Sequence, residues 1–77
     1  MTVHVPVRPS WMCGGCPTPW PCHTRRHQLL AEYAAAPVSL GLYLGGCLVD
    51  ATRDLADVPA GRLYVRFVGW IGPGAPQ

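Results

Sequence analysis

Apolar and polar positions alternate with a helical period from residue 24 onward, and before it they do not. Leu40, Tyr43, Leu44, Cys47, Leu48, Ala51 and Leu55 fall at i, i+3, i+4, i+7, i+8, i+11 and i+15, the spacing of a single buried helix face. Ser39 is placed to cap this helix, and Pro59 with Gly61 to end it. Arg53, Asp54 and Asp57 lie off the apolar face, with Arg53 and Asp57 at ion-pair spacing. Upstream, Leu29, Leu30, Tyr33 and Ala34 share one side of a shorter helix over residues 25–35, capped by Thr24 and stopped by Pro37. Downstream, strict alternation in RLYVRFVGWI would set Arg66 among Tyr64, Val68 and Trp70. A helix instead gathers Leu63, Phe67, Trp70 and Ile71 opposite Arg62, Arg66 and Gly69, so a third helix is predicted.

Residues 1–23 carry Pro6, Pro9, Pro17, Pro19 and Pro21. Proline fixes φ and removes a backbone donor, so this part reads as a looped, extended arm. The predicted architecture is mainly α: a small metal-stapled domain in which a proline-rich cysteine knuckle precedes about three short helices. The chain reads as a single domain, 1–77, divided into the arm at 1–23, a helical part at 24–71 and a flexible tail at 72–77.

Length sharpens the need for a staple, because a chain of 77 residues builds only a small core. Hydrophobic residues at 49% against 13% charged exclude a disordered chain. The opening MTVHVPVRPSW lacks a basic stretch followed by a continuous apolar run, so a cytoplasmic, reducing location is expected. There, closely spaced cysteines serve as metal ligands or redox groups more often than as structural disulfides. The uncharged run from Tyr33 to Val49 contains Pro37, Gly41, Gly45 and Gly46 and only reaches the lower limit of about 17 residues for a bilayer span. No membrane association is expected.

The chemistry is concentrated in WMCGGCPTPWPCH, residues 11–23. Cys13, Cys16 and Cys22 supply three soft ligands, and the glycines between the first two let the chain turn tightly. In that turn the N–H groups of Gly15 and Cys16 can point at the Cys13 sulfur and favour the thiolate that binds metal. Cys22 precedes the first helix, whose positive end also favours thiolate. A closed zinc site needs a fourth ligand, and the candidates are His4, His23, His27 and Cys47. His23 is too close to Cys22 along the chain to reach the same ion well, His27 points largely to another side, and Cys47 belongs to the apolar stripe as a small buried hydrophobe. His4, on the arm, can return beside the turn and completes the set Cys13, Cys16, Cys22 and His4. The cofactor expected is Zn2+, with an iron–sulfur cluster as the alternative. A Cys13–Cys16 disulfide and inert thiols are the remaining readings. Trp11 and Trp20 are expected to pack around the site and keep water out.

Two resemblances attach to these residues. HVPVRPSWMCGGC, PWPC, RRHQLLAEY, DATRDL and RLYVRFVGW together resemble short actinobacterial proteins of unassigned function, sometimes catalogued as flavin reductases. That resemblance implies a small soluble cytoplasmic protein and marks His4, Trp11, Cys13, Cys16, Pro21 and Cys22 as its signature; it supplies no activity. The segment Cys13-x2-Cys16-Pro17-x4-Cys22, a following helix and GLYLGG are also similar to the iron–sulfur half of the WhiB-like regulators. Those carry an additional upstream cysteine, absent here, and a tryptophan where Leu44 stands.

No Ser-His-Asp set, phosphate-cradling loop or paired carboxylate is present, and no small-molecule substrate is inferred. The expected function is a non-enzymatic binding or regulatory module acting through a protein partner or as a homo-oligomer. A redox-sensing iron–sulfur regulator is the first alternative, and a small metalloenzyme with Glu32 as general base the second. Arg25, Arg26, Arg62 and Arg66 would merge into one basic patch if the first and third helices packed side by side. Contacts from four such charges give a salt slope of only about −3.6, so sequence-specific nucleic-acid binding is not expected.

Overall fold

The computed structural model describes residues 2–71, and the tail predicted at 72–77 lies outside the described residues. The fold is mainly helical: α1 spans His23–Glu32, α2 Pro37–Asp54 and α3 Ala60–Phe67. Ahead of them, β1 (Pro6–Val7) pairs antiparallel with β2 (Met12–Cys13), in the register Pro6 with Cys13 and Val7 with Met12. The arm is therefore a short hairpin rather than loop throughout. Proline is accommodated because each strand is two residues long and Pro6 begins β1.

The helix ends depart from the predicted ones for local reasons. Cys22, not Thr24, caps α1, and its sulfur accepts the N–H of Arg25 at 3.4 Å. The last helical residue is Glu32, not residue 35, because proline at 37 holds Ala36 out of the helical region (φ −144°, ψ 61°) and the turn before it tightens. Pro37 then opens α2 in place of a Ser39 cap, since a proline in the first turn loses only an N–H that has no helical partner. Finally, α3 stops at Phe67 instead of continuing to Ile71. Val68 and Gly69 both donate to the carbonyl of Tyr64, and a Cβ at Gly69 would stand 2.8 Å from the Cα of Val65. Only glycine permits that closure.

Of the predicted face of α2, Leu40, Leu44 and Ala51 are buried and Cys47, Leu48 and Leu55 are partly buried, while Tyr43 keeps 39% of its surface exposed and sets its ring edge-on to Trp20 and stacked on Tyr33. The core is completed by Leu29 of α1, Leu63 and Phe67 of α3, and both knuckle tryptophans. Trp11 stands edge-on to Phe67 with ring centroids 5.3 Å apart, and Trp20 lies 6.1 Å from the same ring. With Trp11, Cys13, Trp20 and Cys22 among the buried residues, the knuckle is part of the core and not an appendage to it. Trp11 adopts a left-handed backbone (φ 59°), which the burial of its indole and an N–H bond to Asp54 at 2.8 Å offset.

Asp54 accordingly faces the knuckle and not solvent alone. It also accepts from Arg8 at 2.7 Å, joining the hairpin turn to the end of α2. Arg53 and Asp57 form no ion pair among the described residues, because α2 ends at Asp54 and Asp57 lies beyond the helical spacing. In the helical part α2 packs against both α1 and α3, and α1 and α3 do not pack side by side. No helix among the described residues is long and apolar enough to cross a membrane.

Candidate metal centre

Backbone pairing brings the four sequence-predicted ligands together. Past β2 the pairing continues, with Gly14 N–H donating to Val5 O at 2.8 Å. A Cβ at Gly15 would lie 2.8 Å from Val3 Cγ2 and 2.9 Å from Val3 O. The glycines between Cys13 and Cys16 therefore do more than turn the chain: their bare backbone lets the segment carrying His4 lie close against the turn. From there His4 Nδ1 reaches Cys13 Sγ at 3.2 Å and Cys22 Sγ at 3.3 Å. The Cys13 and Cys22 sulfurs are 3.8 Å apart, and one ligand atom from each of His4, Cys13, Cys16 and Cys22 lies within 4.8 Å of every other.

All four cysteines are thiols, so no Cys13–Cys16 disulfide forms. Cys13 and Cys22 are buried and His4 and Cys16 half-buried, and His4, Cys16 and Cys22 line an open pocket of about 540 Å3. Burial pushes the Cys13 thiol up, offset in part by the N–H of Gly15 at 3.4 Å. The predicted companion bond from Cys16 N–H is not among those of the described residues. Cys16 is drawn down to about 6, chiefly by Thr18, whose hydroxyl lies 3.1 Å from its sulfur, and further by Cys13, His4 and Cys22. A set of three thiols and one imidazole, crowded in this way and sharing a lowered thiol, fits a metal ion.

None of the rival ligands joins the cluster, although His23 lines the same pocket as His4, Cys16 and Cys22. His23 and His27 face one another on the exposed side of α1, with their Nε2 atoms 3.1 Å apart. Cys47 sits half-buried on α2, and burial raises its thiol. Glu32, the conceivable base, is at the opposite end of α1 from Cys22, roughly 14 Å along the axis, and pairs with Arg25 at 2.8 Å.

Of the four arginines, Arg26 and Arg66 turn inward to backbone carbonyls. Arg26 donates to Pro21 O at 3.1 Å and to Arg66 O at 3.3 Å. Arg66, predicted to face outward, donates to Trp20 O at 3.0 Å and to Trp11 O. Burial lowers the pKa of both guanidinium groups, and both are committed to knuckle and helix carbonyls. Trp20 adds a further restraint by donating its indole N–H to His4 O at 3.0 Å. These supporting roles of Trp20, Arg66 and Asp54 carry no sequence signal, since each joins segments far apart in the chain.

Protein-family models, the curated proteins and the solved structures contain no match to this chain, so the centre is read from its own geometry.

Proposed function

We propose that His4, Cys13, Cys16 and Cys22 hold one structural zinc ion, and that the fold so stapled is a non-enzymatic module acting through a protein partner or a second copy of itself. The observation that carries the zinc reading is the sulfur separation. Two thiolates on a tetrahedral ion at about 2.3 Å each stand about 3.8 Å apart, and Cys13 and Cys22 are separated by 3.8 Å. A four-iron iron–sulfur cluster, the reading favoured by the WhiB-like spacing, attaches each cysteine to a different iron and requires a wider splay. The close set of four N and S donors is complete for a closed structural site, which supports a staple rather than an open catalytic ion.

The partner reading rests on α2. Its face opposite the core carries Val38, Leu42 and Val49, with 75%, 73% and 52% of their surface exposed, and Gly45 on the same stripe is open to close approach. Such a stripe on so short a chain is a surface for another protein.

Elemental analysis of anaerobically purified protein tests the metal. One zinc per chain is expected, with loss of cooperative folding when a strong chelator removes it. A brown protein with stoichiometric iron supports the regulator instead, and a folded chain without metal defeats both. For the partner, Leu42→Glu should abolish association seen by sedimentation and leave the thermal midpoint nearly unchanged. Association that survives this substitution rejects the α2 surface.

A further inference from the structure

The geometry points to a second metal site on the outer side of α1, in which His23 and His27 together chelate a borderline divalent cation such as Zn2+ or Ni2+. The two residues are one helical turn apart, a spacing that sets side chains one above the other. Here the two rings meet in a hydrogen bond between their Nε2 atoms, which a chelated ion would replace. Their centroids are 4.5 Å apart, and the two Nε2 atoms approach to 3.1 Å. An ion bound at about 2.05 Å from each would subtend an angle of about 98° between them, within the range that square, octahedral and tetrahedral coordination demand.

Both imidazoles are exposed, so the ion's remaining positions are open to water and the site exchanges with solvent. This sets it apart from the cluster of His4, Cys13, Cys16 and Cys22, where sulfur ligands and burial favour retention. The neighbouring cations do not occupy the site: Arg25 turns to Gln28 and Glu32, and Arg26 to the carbonyls of Pro21 and Arg66. The soft site and the imidazole site differ in donor set. A cation presented in excess therefore fills the sulfur-rich centre first and the histidine pair second.

Calorimetric titration of the full chain with ZnCl2, in buffer without chelating amines, tests this. Two events are expected in the chain first freed of metal: a tight equivalent and a second, micromolar one. His27→Gln and His23→Gln should each weaken the second event at least tenfold and leave the tight one in place. Because both residues are exposed, the variants should retain the native circular dichroism spectrum, and that check accompanies the titration. Absence of the micromolar event, or a micromolar event unchanged in both variants, overturns the proposal. Loss of the tight event in His27→Gln would also overturn it, by moving His27 into the sulfur-rich centre. If the metal-free chain shows only the micromolar event and the variants lose it, the histidine pair stands and the sulfur-rich zinc site falls.

Discussion

Trp20 holds His4 in place: its indole N–H donates to the His4 carbonyl at 3.0 Å while its ring is wholly buried against Phe67 and Trp11. One side chain thus joins the aromatic core to the only histidine in the four-residue cluster. Trp20→Phe keeps an aromatic ring but leaves a half-buried carbonyl without its donor. We expect a loss of about 1–3 kcal/mol in unfolding free energy and faster metal release to a chromogenic chelator. Unchanged release kinetics would mean that His4 is positioned by the hairpin alone.

The legible part of the molecule was the part written in local pattern. The stripe from Leu40 to Ala51 and the spacing of Cys13, Cys16 and Cys22 each lie within a short segment, so period and ligand chemistry identify them. Helix ends were less legible because they depend on single turns: Cys22 competes with Thr24 as cap, and Pro37 is as compatible with starting a helix as with stopping one. What stayed hidden was long-range. Arg66 is polar by type, and nothing near it in sequence shows that its guanidinium turns inward to the carbonyls of Trp11 and Trp20.

Cys22 has two duties, since it belongs to the candidate centre and caps α1 through the N–H of Arg25. Cys22→Ser should therefore lower the thermal midpoint far more than Cys47→Ser, which alters a half-buried position of α2 outside the cluster. A serine can still cap a helix, so the deficit reports the lost ligand. Equal midpoints in a melting experiment would contradict the assignment of Cys22.

Arg66→Met tests the clamp between α3 and the knuckle. The substitution preserves much of the aliphatic stem but removes charge-assisted donors to two backbone carbonyls, for an expected cost of about 1.5–3 kcal/mol in denaturant unfolding. A variant as stable as the native chain would show that water satisfies those carbonyls equally well.

Stability should also fall in acid through Asp54, whose carboxyl is held below its ordinary value first by the Arg8 hydrogen bond and then by the indole N–H of Trp11. Asp50 shares Arg8 at 3.8 Å. A depressed folded-state pKa gives stability that is fully present above the ordinary carboxylate value of about 3.9 and is lost as pH falls through the lower, folded value. Asp54→Asn should flatten this acid limb of the stability curve in chelator-free buffer. An acid limb identical in both proteins would assign the loss to other groups.

Zinc-edge X-ray absorption of the protein as purified, carrying one equivalent of metal, tests the central claim most directly. A first shell of three sulfurs at about 2.3 Å and one nitrogen at about 2.0 Å is the predicted result. A shell dominated by oxygen and nitrogen would contradict it, as would stoichiometric iron with a metal–metal scattering path in place of zinc.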